Sequence, residues 1–260
     1  MGFRCHYTGV LLDITDQLSP WYLTFDHRTP GKKGGLVVCA AWINSMKNRL
    51  TEEEFKAVII EFARCKETGE PFNMAVARFK YWHGWVPKKP KRMAIFRDMR
   101  RPKIGVCKIC SDRTVPYSLY CPVCQRILIV FPNIIEHAIA MEEAWDKEKK
   151  AFICYLTGLK IELKDRSSPL YHTFDHRIPG QPGTLKMTVA FANVVKTALS
   201  DEEFWLVVNE LANHFKTGQP FNRDIVKFAY WKGFAKARLK AMNARKAKAR
   251  ARRAKTAKNA

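Results

Sequence analysis

Apolar residues at Phe55, Val58, Ile59 and Phe62 recur at three- and four-residue intervals, the spacing of a helix that buries one face. Thr51, three residues before Glu54, supplies a capping box, so the helix is expected to start there. Upstream, Tyr22-Leu23-Thr24-Phe25 and Leu36-Val37-Val38-Cys39 read as short strands, and Pro30-Gly31 and Gly34-Gly35 read as the turn between them. Asn44 and Lys47 follow one helical turn apart, so a short helix would carry both on one side. The expected local order is strand, turn, strand, helix, helix. Residues 134–150 show a further helical period.

This pattern occurs twice. Offsetting the chain by 149 residues aligns Cys5–Trp85 with Cys154–Phe234 without a gap, with about 35 of 81 positions identical. A long period seen only twice marks duplication of a domain and not a solenoid. The capping box returns as Ser200 and Glu203, and the strand end Thr24-Phe25-Asp26-His27-Arg28 returns as Thr173-Phe174-Asp175-His176-Arg177. The division expected is a first module over residues 1–86, a basic linker with a cysteine cluster over 87–133, a connecting helix and second module over 134–234, and a basic tail over 235–260.

Charge changes this picture. The chain has 260 residues, 47% of them hydrophobic, which is enough for real cores, and a formal charge of +22. The net charge is +2 over residues 1–85, +9 over 86–126, zero over 127–234 and +11 over 235–260. The excess calls for a polyanionic partner and lies outside the repeated modules. Lys88, Lys89, Lys91 and Arg92 in the linker and Arg245, Lys246, Arg250, Arg252 and Arg253 in the tail are the candidate nucleic-acid contacts, with Lys47 and Lys196 in the modules. The tail, with eleven basic and no acidic residues, is expected to be disordered, or helical once a partner neutralises it. No apolar run is long enough for a membrane span and no signal-peptide pattern opens the chain, so an intracellular, soluble protein is expected, cytoplasmic if bacterial or viral. Duplication within one chain suggests a monomer with internal pseudo-symmetry.

Cys107-x-x-Cys110 and Cys121-x-x-Cys124 have the spacing of two knuckles that together offer four thiolates to a structural zinc ion, here expected as a zinc ribbon. The alternative is a cluster of reduced cysteines. Cys5 and Cys154 read as small buried residues, and Cys39 and Cys65 become Thr188 and His214 in the second copy, which argues against a shared metal role. Phe79, Tyr81, Trp82 and Trp85 could stack on bases, but their pattern is kept in Phe228, Tyr230, Trp231 and Phe234, which favours closure of each module's core.

The Asp-His pair followed 17 residues later by Asn is the candidate chemistry. Asp26 and the side-chain carbonyl of Asn44 are hard oxygen donors suited to magnesium or manganese, and neutral His27 can activate water. With Cys5-x-x-Thr8-Gly9, Phe25-Asp26-His27-Arg28, Leu36-Val37-Val38-Cys39, Asn44-Ser45-Met46-Lys47 and Thr51-x-x-Glu54-Phe55, the chain resembles the HNH, or ββα-metal, endonucleases over residues 5–62 and again over 154–211. The resemblance implies an α+β fold with two ββα-metal modules. It also implies metal ligands at Asp26, Asn44, Asp175 and Asn193, and general bases at His27 and His176. Arg28 and Arg177, directly after the base, could hold the scissile phosphate, with a structural salt bridge as the other reading. The Asn that in the family orients the base is replaced by Gly34-Gly35 and Gly183-Thr184, so another group must fix the histidine tautomer. Three functions remain open on sequence: a metal-dependent endonuclease acting on DNA, with RNA not excluded; a non-catalytic nucleic-acid binder on degenerate modules; and a ribonucleoprotein component.

Overall fold

The computed structural model describes residues 2–83, 104–114, 116, 118–131 and 133–258, without the side chains of 251–258. Lys88, Lys89, Lys91, Arg92 and Trp85 lie outside the described residues.

In the first copy, β1 (Leu23–His27) and β2 (Leu36–Ala40) form an antiparallel hairpin with Leu23 opposite Ala40 and His27 opposite Leu36. Gly31 and Gly34 take φ of 75° and 81° in the turn, a region that β-carbon contacts close to most other residues. The chain passes without a loop into α1 (Ala41–Lys47), which ends at Asn48 with φ 47°. Then α2 (Glu52–Thr68) starts on the capping box of Thr51 and Glu54 and stops at left-handed Gly69. The second copy repeats each step: β5 (His172–His176) pairs with β6 (Leu185–Val189), α5 (Ala190–Lys196) follows, and α6 (Asp201–Thr217) has the box of Ser200 and Glu203 and stops at Gly218. The class is therefore α+β, built on small two-stranded sheets.

The copies share one buried cluster. Helices α2 and α6 pack together, and Phe62, fully buried, meets Phe204 at 5.3 Å and Trp205 at 6.2 Å between ring centroids. The C-terminal segments are exchanged. Phe72 and Phe79 of the first copy pack on Phe191 of the second at 5.1 and 5.0 Å, while Phe221 and Phe228 pack on Trp42 at 5.9 and 5.2 Å. Trp42 and Phe191 are equivalent positions, so the exchange is reciprocal about a pseudo-twofold axis. Phe79 and Phe228, expected to close their own modules, pack on the other copy instead, while Tyr230 is 37% exposed. Phe79 and Phe228 sit at φ 51° and 53°, a backbone strain of roughly 1–2 kcal/mol that burying each ring in the other copy offsets.

Between the copies the two cysteine pairs come together: the second runs straight into helix α3 (Pro122–Leu128), capped by Cys121, and an isolated bridge beside the first pairs Val106 with Arg113. Helix α4 (Ile134–Ala144) then covers the second copy's hairpin. It is shorter than the helical period suggests, because Trp145–Asp146 (β3) and Ala151–Phe152 (β4) form a small hairpin that seats Trp145 on Phe152.

The tail is helical. Helix α7 runs unbroken from Trp231 to Lys258, starting inside the second copy with Trp231 and Ala235 buried. Alanine, lysine and arginine are all strong helix formers, which suits this segment to a helix. Among the described residues, no helix is long and apolar enough to cross a membrane.

Candidate functional site

Two residues of α1 stitch it to the end of β1. Asn44 donates its amide Nδ2 to the Phe25 carbonyl at 3.0 Å and to Thr24 Oγ1 at 3.2 Å. Lys47 sends its ammonium to the His27 carbonyl at 2.9 Å and to Asp26 Oδ2 at 3.0 Å. Ser45, between them, bonds back to the helix at Ala41. In the second copy Asn193 donates to the Phe174 carbonyl at 3.0 Å, and Lys196 donates to the His176 carbonyl at 2.8 Å and pairs with Asp175 Oδ2 at 2.7 Å. Asp, Asn and the backbone of His are thus brought together twice.

Lys47 and Lys196 are fully buried. They are internal counter-ions and not the nucleic-acid contacts their charge suggested, because the carboxylate at the strand end needs a compensating charge once it is buried. A tyrosine completes each pair: Tyr7 donates to Asp26 Oδ2 at 2.6 Å and Tyr155 to Asp175 Oδ2 at 2.9 Å. Burial and the adjacent carboxylate hold both phenols well above their ordinary range, so each stays a neutral donor. The alignment hides this match, since Tyr7 is equivalent to Leu156 and Tyr155 to His6. The hydroxyl is conserved in space with the register shifted by one. Burial also raises the Asp175 carboxyl, opposed by Lys196.

Among the described residues, every bond made to either aspartate goes to Oδ2. Each asparagine bonds through its Nδ2. One carboxylate oxygen and one amide oxygen per copy therefore keep their lone pairs, and both are oxygen types that hard divalent ions take as ligands. His27 is exposed at the strand end, and His176 is 35% exposed with Glu136 Oε1 of α4 at 3.7 Å. Glu136 also accepts from Gly183 N at 2.8 Å. Asp175 and His176 open on a cavity of about 530 Å³. Asn44 and Asn193 open together on a second cleft of about 480 Å³, where α1 meets α5.

Arg28 and Arg177 form salt bridges, as their second reading had it. Arg28 Nε bonds Glu52 at 2.5 Å and Arg177 Nε bonds Asp201 at 2.8 Å, with both side chains more than half exposed. Burial by itself would push the Glu52 carboxyl up, but bonds from Lys56, His6 and Arg28 outweigh it and hold it at about 2.

The four sulfurs of Cys107, Cys110, Cys121 and Cys124 lie within 4.8 Å of one another, and Cys110 is 3.6 Å from both Cys121 and Cys124. Zinc–sulfur bonds of about 2.3 Å put tetrahedral thiolates about 3.8 Å apart, so the cluster can hold one metal ion such as zinc. The hydrogen bond from Cys124 pulls the Cys107 thiol down to about 4, and burial pushes Cys110 up to about 12. Four thiolate ligands would close the shell, which suits a structural role. Cys5, Cys39 and Cys154 are buried away from this cluster. Arg245, Lys246 and Arg250 are exposed on α7; Arg252 and Arg253 continue the same helix.

Comparison of the chain with family models, with curated proteins and with solved structures returns no match.

Proposed function

We propose that the protein is a nucleic-acid-binding endonuclease, acting on DNA, that hydrolyses phosphodiester bonds with a divalent ion at two HNH-like sites. The observation that carries this reading is the recurrence in both copies of an aspartate and an asparagine bonded to the same strand end, each with one oxygen free of described partners, and of a histidine open to solvent at that end. Magnesium or manganese held by Asp26 and Asn44, or by Asp175 and Asn193, would supply positive charge to the phosphate and the leaving oxygen. His27 and His176 take a proton from the attacking water as the new P–O bond forms and the old one breaks. Lys47 and Lys196 fix the carbonyl of that histidine and one oxygen of the aspartate, which keeps the strand end rigid. The N–H groups of Arg28 and Arg177 that point away from their acidic partners remain available to a phosphate.

The lysine on each aspartate favours a second reading, a binder that holds nucleic acid on the same frame without cutting it. Incubating the purified chain with supercoiled plasmid and magnesium or manganese, beside the His27→Ala/His176→Ala variant, separates the two. Nicked or linear product from the parent chain alone supports the endonuclease. Absence of product, or product that persists in the double variant, leaves the binder.

A further inference from the structure

The basic helix α7 is rooted in the candidate site. Trp231 and Ala235 anchor its start in the second copy, and Arg238 bonds Ser45 Oγ of the first. Phe234 and Arg238 line the cleft that holds Asn44 and Asn193, so the helix leaves the molecule from the place where the two candidate sites meet.

Along the helix, Lys236, Arg238, Lys240, Arg245, Lys246, Lys248 and Arg250 are all exposed. At 3.6 residues per turn they spread round the whole circumference, with no gap wider than about 80°. A membrane-surface helix or a helix docked in a protein groove needs an apolar stripe; α7 has one only over its first turns, through Trp231, Ala235, Leu239 and Met242, and no apolar residue larger than alanine after it. Charge on all sides suits a partner that surrounds the helix with phosphates. The major groove of B-form DNA, about 12 Å wide with a phosphate chain on each wall, admits a helix about 10–12 Å across. The major groove of A-form RNA is too deep and narrow for one. Single strands are held on aromatic platforms, and α7 has no aromatic residue after Phe234.

Resting on the nucleic-acid reading above, we propose that α7 is a DNA arm that lies in the major groove of a duplex and sets that duplex against the cleft between the two copies. Its side chains after Arg245 are basic, alanine or threonine apart from Asn259, so the grip follows the backbone and not the base sequence.

The test is fluorescence anisotropy with a 20-base-pair DNA duplex, the same duplex in RNA and one of its DNA strands, across a salt series without added magnesium or manganese. Duplex DNA should bind most tightly. Changing Arg245, Lys246, Lys248 and Arg250 to Gln should flatten the slope of log affinity against log salt by roughly 3 to 4, at about 0.9 per phosphate contact. Ala247→Pro keeps every charge and breaks the helix well clear of the core, and it should weaken duplex binding at least tenfold. Equal binding of the three nucleic acids, an unchanged slope in the Gln variant, or full affinity in Ala247→Pro overturns the arm. Tight, helix-dependent duplex binding without cleavage would sink only the endonuclease, and cleavage with an arm-independent duplex affinity would sink only the arm.

Discussion

Replacing Lys47 with Met keeps the length of the side chain and removes the charge. Lys47 is fully buried, and its ammonium serves Asp26 Oδ2 at 3.0 Å and the His27 carbonyl at 2.9 Å. The variant leaves a carboxylate that is 6% exposed with the Tyr7 hydroxyl as its remaining described donor. Stranding one charge of a buried pair costs about 3–5 kcal/mol, several times the value of an exposed pair. In a protein of this size that loss lowers the melting temperature by on the order of 10 °C. Urea denaturation of the parent chain, Lys47→Met, Asp26→Leu and the double variant would give the coupling directly. The double variant should recover much of the loss, because an apolar pair leaves no stranded charge. A Lys47→Met cost below about 1 kcal/mol, with duplex DNA affinity falling instead, would refute the internal counter-ion and return Lys47 to the surface role its sequence context suggested.

Glu52 gives a pH test. Its folded carboxyl titrates at about 2 against an ordinary 4.5, so its contribution is complete above pH 4.5 and disappears as pH falls through 2. The stability difference between the parent chain and Glu52→Gln should shrink over that window, and a difference that grows on acidification would contradict the assignment. Phe62→Ala, at the junction of the copies, should cost about 3–5 kcal/mol and expose both copies to hydrogen exchange together; loss of protection in the first copy alone would deny the shared core. Elemental analysis should find one zinc per chain, lost in Cys124→Ser with faster exchange over residues 105–128. A metal-free parent chain would leave the cysteines as a plain buried cluster.

Local structure was legible in the sequence because local rules govern it. The capping boxes, the glycine turns and the two CxxC pairs each specify their own geometry within a few residues, and the structure has all of them in place. The exchange of C-terminal segments was not legible. Phe79 and Phe228 keep the same pattern whether they pack on their own copy or on the other, and periodicity records burial without naming the partner. The roles of Lys47 and Lys196 were hidden for a related reason: a lysine at a helix end is ordinarily solvated, and its burial follows from Asp26 and Asp175 facing inward across the hairpin. The tyrosine hydroxyl was invisible to the repeat alignment, because it enters from neighbouring positions in the two copies.

Reciprocal packing ties the two copies into one folding unit, yet it leaves their surroundings free to differ. The hairpin of the second copy lies under α4, where Phe131 and His137 pack on Phe174 and Leu185 is 6% exposed. Its counterparts in the first copy, Phe25 and Leu36, are 62% and 53% exposed. The same asymmetry reaches the histidines: Glu136 stands beside His176, and no acidic side chain pairs with His27 among the described residues. The two frames share the bonds of Asp, Asn and Lys to the strand end, and differ where Tyr155 and Lys196 also reach Asp201 in the second copy, so a difference in what the copies do has two structural sources, that acid and the overlying α4.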